Sequence, residues 1–131
     1  MEKNGFTLIE LLAVIIILAI VALIATPIVL NVVDSAKDSA AKSEAAMIVS
    51  GVNNYCATAA MKQQLDGTAS ICEKQSGDET NVTPDEVKTM VDLGNAKVTK
   101  INYADSKVAE LTVESNGRTV TYDGTTYSLT K

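Results

Sequence analysis

The sequence contains no histidine and no tryptophan, one phenylalanine, two prolines and two cysteines. Without histidine it lacks the usual general base near neutral pH and the commonest zinc ligand. Two cysteines cannot build a four-thiolate centre, and Cys56 and Cys72 stand too far apart for a Cys-x-x-Cys redox pair. There is no nucleophile elbow and no phosphate-cradling glycine loop, and the adjacent acids Asp85 and Glu86 belong to a helix start. The chain is therefore not expected to be an enzyme, and no catalytic, cofactor or metal residue is assigned. Clustered positive charge is missing as well. Lys and Arg number 11 against 16 Asp and Glu, a formal net charge of -5, with no basic stripe to displace the counterions of a nucleic acid. Direct nucleic-acid binding is not expected.

What the chain does have is one long apolar run. Every residue from Leu11 to Ala25 is apolar, and Thr26, Pro27 and the stretch Ile28 to Leu30 extend it to the length of a bilayer span. A secretory signal would end in a small-residue cleavage site beyond the apolar stretch. Here the polar leader is only MEKNG, and the far side continues as DSAKDSAAKSEAAMIVSGV, which reads as more helix. One acid, Glu10, stands at the head of the run, and no basic residue follows Lys3 until Lys37. A lone carboxylate inside a span costs about 3 kcal/mol on insertion scales, so it needs a partner or a route to the interface.

The stretch KNGFTLIE resembles the processing site of type IV pilins and their relatives. Gly5, the aromatic Phe6, Thr-Leu-Ile and Glu10 occur in that family's order at the head of an apolar helix. The resemblance implies that a membrane prepilin peptidase cuts between Gly5 and Phe6 on the cytoplasmic side and methylates the new Phe6 amine. It implies further that Glu10 pairs with the Phe6 amine of a neighbouring subunit as copies assemble into a helical filament, a homo-oligomer. An assembly ATPase and a membrane platform protein would drive this. The precursor would sit in the inner (cytoplasmic) membrane and the product would be an extracellular pilus on the cell surface. The residues agree with this, since cutting after Gly5 removes Lys3 and leaves one cationic amine near Glu10. The other reading of Glu10 is a carboxylate that snorkels to the interface without a specific partner.

Pro27 falls inside the helix, where it has no N–H and clashes with the preceding turn, so a bend is expected near Leu23 or Ile24. In related pilins such a proline accompanies a curved helix and local melting in the filament; a static kink is the alternative. Two function readings follow. The first is a type IV pilin, the structural subunit of a fibre for adhesion, motility or DNA uptake. The second is a pseudopilin of a type II secretion or competence system, with the same N-terminus. The stretch from Tyr127 to Lys131 has no acidic calcium-binding cluster of the kind found in the major secretion pseudopilin.

Past Val33 the chain turns rich in Ala, Ser, Lys, Asp and Glu. Apolar positions recur at Ala41, Ala45, Ile48, Val52, Cys56 and Ala59, which predicts one buried stripe on an amphipathic helix. Lys37, Asp38, Lys42 and Glu44 read as its solvated face. Gly67 suits a left-handed stop. In an oxidising compartment Cys56 and Cys72 are expected to form a disulfide, worth about 3 kcal/mol by loop closure; two buried thiols are the alternative. Thr83 as N-cap, Pro84 at the first position and Glu86 completing a capping box predict a short helix. Asn81-Val82-Thr83 matches a glycan acceptor sequon, although the cap already accounts for Thr83.

The period then changes to two. KVTKINY, KVAELTVE, RTVTYD and TTYSLTK are separated by Ala-Asp-Ser, Asn116-Gly117 and Asp123-Gly124, the signature of an antiparallel meander. Ala109, Leu111 and Val113 are expected to face inward, and Glu110, Thr112 and Glu114 outward. The predicted fold is α+β, a long N-terminal helix with a small antiparallel sheet laid on its C-terminal half. Its expected parts are a leader (1–5), a transmembrane assembly half (6–33) and an extracytoplasmic head (34–131). The head comprises helix 34–65, connector 66–82, helix 83–93 and sheet 97–131.

Overall fold

The computed structural model describes residues 5–67, 72, 84–104 and 107–131. The chain divides into two compact units, residues 1–36 and 37–131. Helix α1 (Leu8–Asp66) contributes to both, followed by α2 (Pro84–Met90) and strands β1 (Lys97–Ala104), β2 (Lys107–Ser115), β3 (Arg118–Tyr122) and β4 (Tyr127–Thr130). The strands form one antiparallel sheet in the order β1-β2-β3-β4, packed against the long helix in an α+β arrangement. Helix α1 ends where Gly67 adopts a φ of 73° and donates its N–H to the Gln63 carbonyl at 2.9 Å.

In the head unit α1 buries Ala41, Ala45, Ile48, Val49, Val52 and Cys56. Steps of three and four put these on one helix face, and the two alanines admit the sheet closely. Val49 joins the expected stripe, while Ala59 is only half-buried. Opposite this face, residues paired across the strands form apolar rows. Val98, Val113, Val120 and Leu129 make one, and Ile101, Leu111, Tyr122 and Tyr127 the next. The Tyr122 and Tyr127 rings stack with centroids 4.7 Å apart. Tyr103 reaches Met90 of α2 with its hydroxyl 3.7 Å from the sulfur, and burial, aided by the Glu86 charge, pushes its phenol up to about 12.

Strict alternation fails at two places. The register passes from Val98↔Val113 to Lys100↔Thr112, leaving Thr99 as an extra residue on β1. It passes again from Asn102↔Glu110 to Tyr103↔Val108, leaving Ala109 as an extra residue on β2. Each extra residue is a bulge that shifts the inward position by one. Val108, not Ala109, therefore fills the core, being 4% exposed. The Val108 N–H is caught by the Asn53 side-chain carbonyl on α1 at 2.8 Å. On the outer face Glu110 accepts from Lys100 at 2.8 Å and from Asn102 at 2.9 Å, and the Lys100 hydrogen bond leads in holding its carboxyl below the usual range.

Asp38 and Glu44 are also not on a solvated face. Asp38 receives the Arg118 guanidinium at 2.6 Å and the Lys131 ammonium at 3.7 Å, and Glu44 accepts from the buried Ser115 hydroxyl. The reason is angular: Asp38 precedes Ala41 and Ala45 by three and seven residues, so it shares their side of the helix.

Turns follow the expected chemistry in one case and depart from it in another. Asn116 and Gly117 have φ of 53° and 72°, as a two-residue primed turn demands. The Asp123-Gly124 connection instead spans residues 123–126, because Tyr122 pairs with Tyr127. Asp123 accepts the N–H groups of Thr125 and Thr126 and both their hydroxyls within 2.9 Å, which holds its carboxyl well below the carboxylate range. A side chain that satisfies a longer loop outcompetes the tight turn.

Helix α2 stops at Met90, earlier than the expected 93. The Val91 N–H still reaches the Val87 carbonyl at 3.0 Å, and Asp92 then accepts from Gly94 at 3.0 Å in a local turn. The Thr83 cap, the Asn81 sequon, and Asp105 and Ser106 of the first hairpin turn lie outside the described residues.

Cys56 and Cys72 form a disulfide across a sequence separation of 16. The Cys56→Ser, Cys72→Ser double variant is expected to lose about 3 kcal/mol of head stability. That corresponds to a fall in Tm of roughly 12 °C or more, read by circular dichroism of the full chain in detergent. A loss below about 1 kcal/mol would mean that the bridge constrains little of the unfolded chain.

Candidate processing and assembly site

The N-terminal elements explain why Gly5 and Phe6 stand available. Residues 5–7 are not helical, and α1 begins only at Leu8. Thr7 opens the helix: its carbonyl accepts the N–H of Glu10 at 3.1 Å and of Leu11 at 3.2 Å. Gly5 is exposed, and so is Phe6 at 81%. A non-helical, exposed dipeptide just before a helix leaves its backbone open to a peptidase, since helical peptide groups are tied up in their own hydrogen bonds.

Glu10 lies in the first turn of α1, and its Oε2 accepts a hydrogen bond from the Thr7 hydroxyl at 3.4 Å. An acid there opposes the positive end of the helix dipole, worth about 0.3–1 kcal/mol at an exposed site. Thr7 is thus a local partner of Glu10 that a reading centred on Gly5, Phe6 and Glu10 passes over. Its signal was present, as Thr-x-x-Glu before an apolar run is the capping-box pattern.

Beyond Glu10, Leu11, Leu12, Val14, Ile17, Ile20 and Val21 are all exposed, on every side of the helix. A helix apolar all round needs lipid or other helices on all its faces. The helix is long and apolar enough to cross a membrane. It continues without interruption through Pro27, which leaves the Leu23 carbonyl without its usual N–H. One residue earlier the Thr26 hydroxyl donates to the Ala22 carbonyl at 2.7 Å. Thr7 and Glu10 are in contact, with Gly5 and Phe6 just before them along the chain; Cys56 and Cys72 form their own bonded pair in the head unit. Among the described residues no group of three or more His, Cys, Asp and Glu is placed to hold a metal ion.

No curated protein and no solved structure matches the chain. A family model does match at residues 1–26, and it describes a prokaryotic N-terminal methylation motif. This motif and the apolar helix suit a membrane-anchored precursor, of a pilin or of a pseudopilin. Over residues 1–26 the chain carries the type IV pilin-like signature.

Proposed function

We propose that this chain is a type IV pilin, the structural subunit of an extracellular filament. The observation that carries the reading is the methylation motif over residues 1–26, with Gly5 and Phe6 exposed ahead of an all-round apolar helix that holds Glu10 in its first turn. A prepilin peptidase removes residues 1–5 and methylates the Phe6 amine. Residues 6–33 hold the subunit in the cytoplasmic membrane until an assembly ATPase and platform protein extract it. In the fibre the Phe6 ammonium of one copy meets Glu10 of another, and heterologous packing of the apolar helices gives an open, growing filament. Pro27 supplies the place where the helix bends or loosens as neighbours pack, since the turn before it lacks one hydrogen bond.

Two measurements test this reading. Mass spectrometry of the mature protein is expected to find Phe6 as the first residue, with one methyl group on its amine. An unprocessed Met1 would remove the basis of the proposal. Electron microscopy of source cells is expected to show surface fibres that vanish when the gene is deleted. Absence of fibres with loss of secretion or DNA uptake would assign the pseudopilin role.

A further inference from the structure

An asparagine followed by glycine loses its side-chain amide more readily than other asparagines, because glycine has no Cβ to keep its peptide nitrogen from the amide carbon before it. The chain has two such pairs, Asn4-Gly5 and Asn116-Gly117. Asn4 lies outside the described residues. Asn116 and Gly117 form the exposed turn between β2 and β3, both in the left-handed region of φ. The Asn116 amide there is tethered. Its Nδ2 donates to Ser115 Oγ at 3.1 Å, and the Ser115 hydroxyl in turn donates to the Glu44 carboxylate on α1. Ser115 is only 3% exposed, a polar side chain buried at the very end of β2. With its proton held by Glu44, it turns an oxygen lone pair to the amide of the next residue.

We propose that Asn116 is a deamidation site held in check by the Glu44–Ser115 pair. In that reaction the Gly117 nitrogen bonds to Asn116 Cγ, and the Cγ–Nδ2 bond breaks. The proton lost by the Gly117 nitrogen is matched by the one that Nδ2 takes up as it leaves as ammonia. Water then opens the cyclic imide at either carbonyl, giving aspartate or its backbone-lengthened isomer. Two features of the turn oppose ring closure. Closure needs Cγ against the nitrogen that follows Asn116, whereas the hydrogen bond ties the amide to the residue that precedes it. Closure also swings the Asn116 peptide out of the left-handed conformation that the Ser115↔Arg118 pairing imposes. The product fits the site poorly as well. A carboxylate at position 116 has no N–H to give Ser115, so two acids would contend for one buried hydroxyl proton. Every group involved lies in the head unit, so this inference stands apart from the pilin reading.

The test follows the full chain in detergent through prolonged incubation in mildly alkaline buffer. Mass spectrometry of the tryptic peptide 108–118, VAELTVESNGR, reads the conversion, since Asn116 is its single side-chain amide. The folded wild type is expected to convert at least about five-fold more slowly than the reduced chain in urea, the effect of losing one hydrogen bond or more. Ser115→Ala, still folded, is expected to convert about five-fold faster than the folded wild type. Glu44→Ala leaves the sequence of the turn intact and is expected to speed conversion in the same direction; it decides the matter if Ser115→Ala does not fold. Unchanged hydrogen exchange in β2 and β3 identifies a variant as folded. The proposal fails if the unfolded chain does not convert, or if folded and unfolded wild type convert at one rate. It fails equally if either folded variant keeps the wild-type rate.

Discussion

Glu10→Ala is expected to abolish surface fibres, while the variant precursor still enters the membrane and is cut between Gly5 and Phe6. Removing the carboxylate lowers the cost of inserting the helix by about 3 kcal/mol, so the precursor pool should not shrink. The peptide groups presented to the peptidase, exposed and ahead of the helix, are unchanged. The loss falls on the next step. After cleavage the Phe6 ammonium sits near the positive end of α1, where the helix dipole disfavours a cation. Packed among apolar helices without Glu10 of a neighbour, it is a buried charge with no partner, and such breakage costs about 3–5 kcal/mol. At each subunit addition this is a factor of about a hundred or more, which electron microscopy would register as fibre loss.

Glu10→Gln separates the two roles that the carboxylate has. The amide oxygen can still accept the Thr7 hydroxyl, so the local contact at the start of α1 survives, but the negative charge does not. Fibre loss in both variants supports the pairing between copies. Normal fibres with Gln and none with Ala would locate the requirement in the helix start and end the charge-pair account.

The parts legible in the sequence are those governed by local rules. The apolar run, the stop at Gly67, the Asn116-Gly117 turn and the four-strand meander each follow from neighbours in the chain. What escaped depends on partners far along it. A helical reading assigns Asp38 to solvent because the sequence gives no sign that Arg118 lies on the strand beneath it. A period-two reading has no place for an inserted residue, so it puts Ala109 in the core in place of Val108. The Asp123-Gly124 dipeptide signals a tight turn, and only the placement of Thr125 and Thr126 shows the carboxylate organising a longer one. At the candidate site the reverse held. Gly5, Phe6 and Glu10 lie within six consecutive residues, and the Thr7 contact to Glu10 is local as well, on the Thr-x-x-Glu spacing.

The bulge makes a prediction that a straight strand would reverse. Val108→Asp is expected to unfold the head, whereas Ala109→Asp should cost it about 1 kcal/mol or less. Val108 is 4% exposed and sits in the core cluster with Ile101 and Leu111, so the change removes about 2 kcal/mol of apolar burial. It also places a carboxylate in the apolar core, for a further few kcal/mol. Together these approach the whole stability of a small domain, about 5–15 kcal/mol. Ala109 is half-buried on the bulge, so a carboxylate there keeps water. Its carbonyl lies against Gly124, where a Cβ would come within 3.2 Å of the oxygen. Circular dichroism melts of the two full-length variants, with hydrogen exchange at β2, give the comparison. Equal destabilisation, or a larger loss at Ala109, would mean that β2 alternates without the bulge.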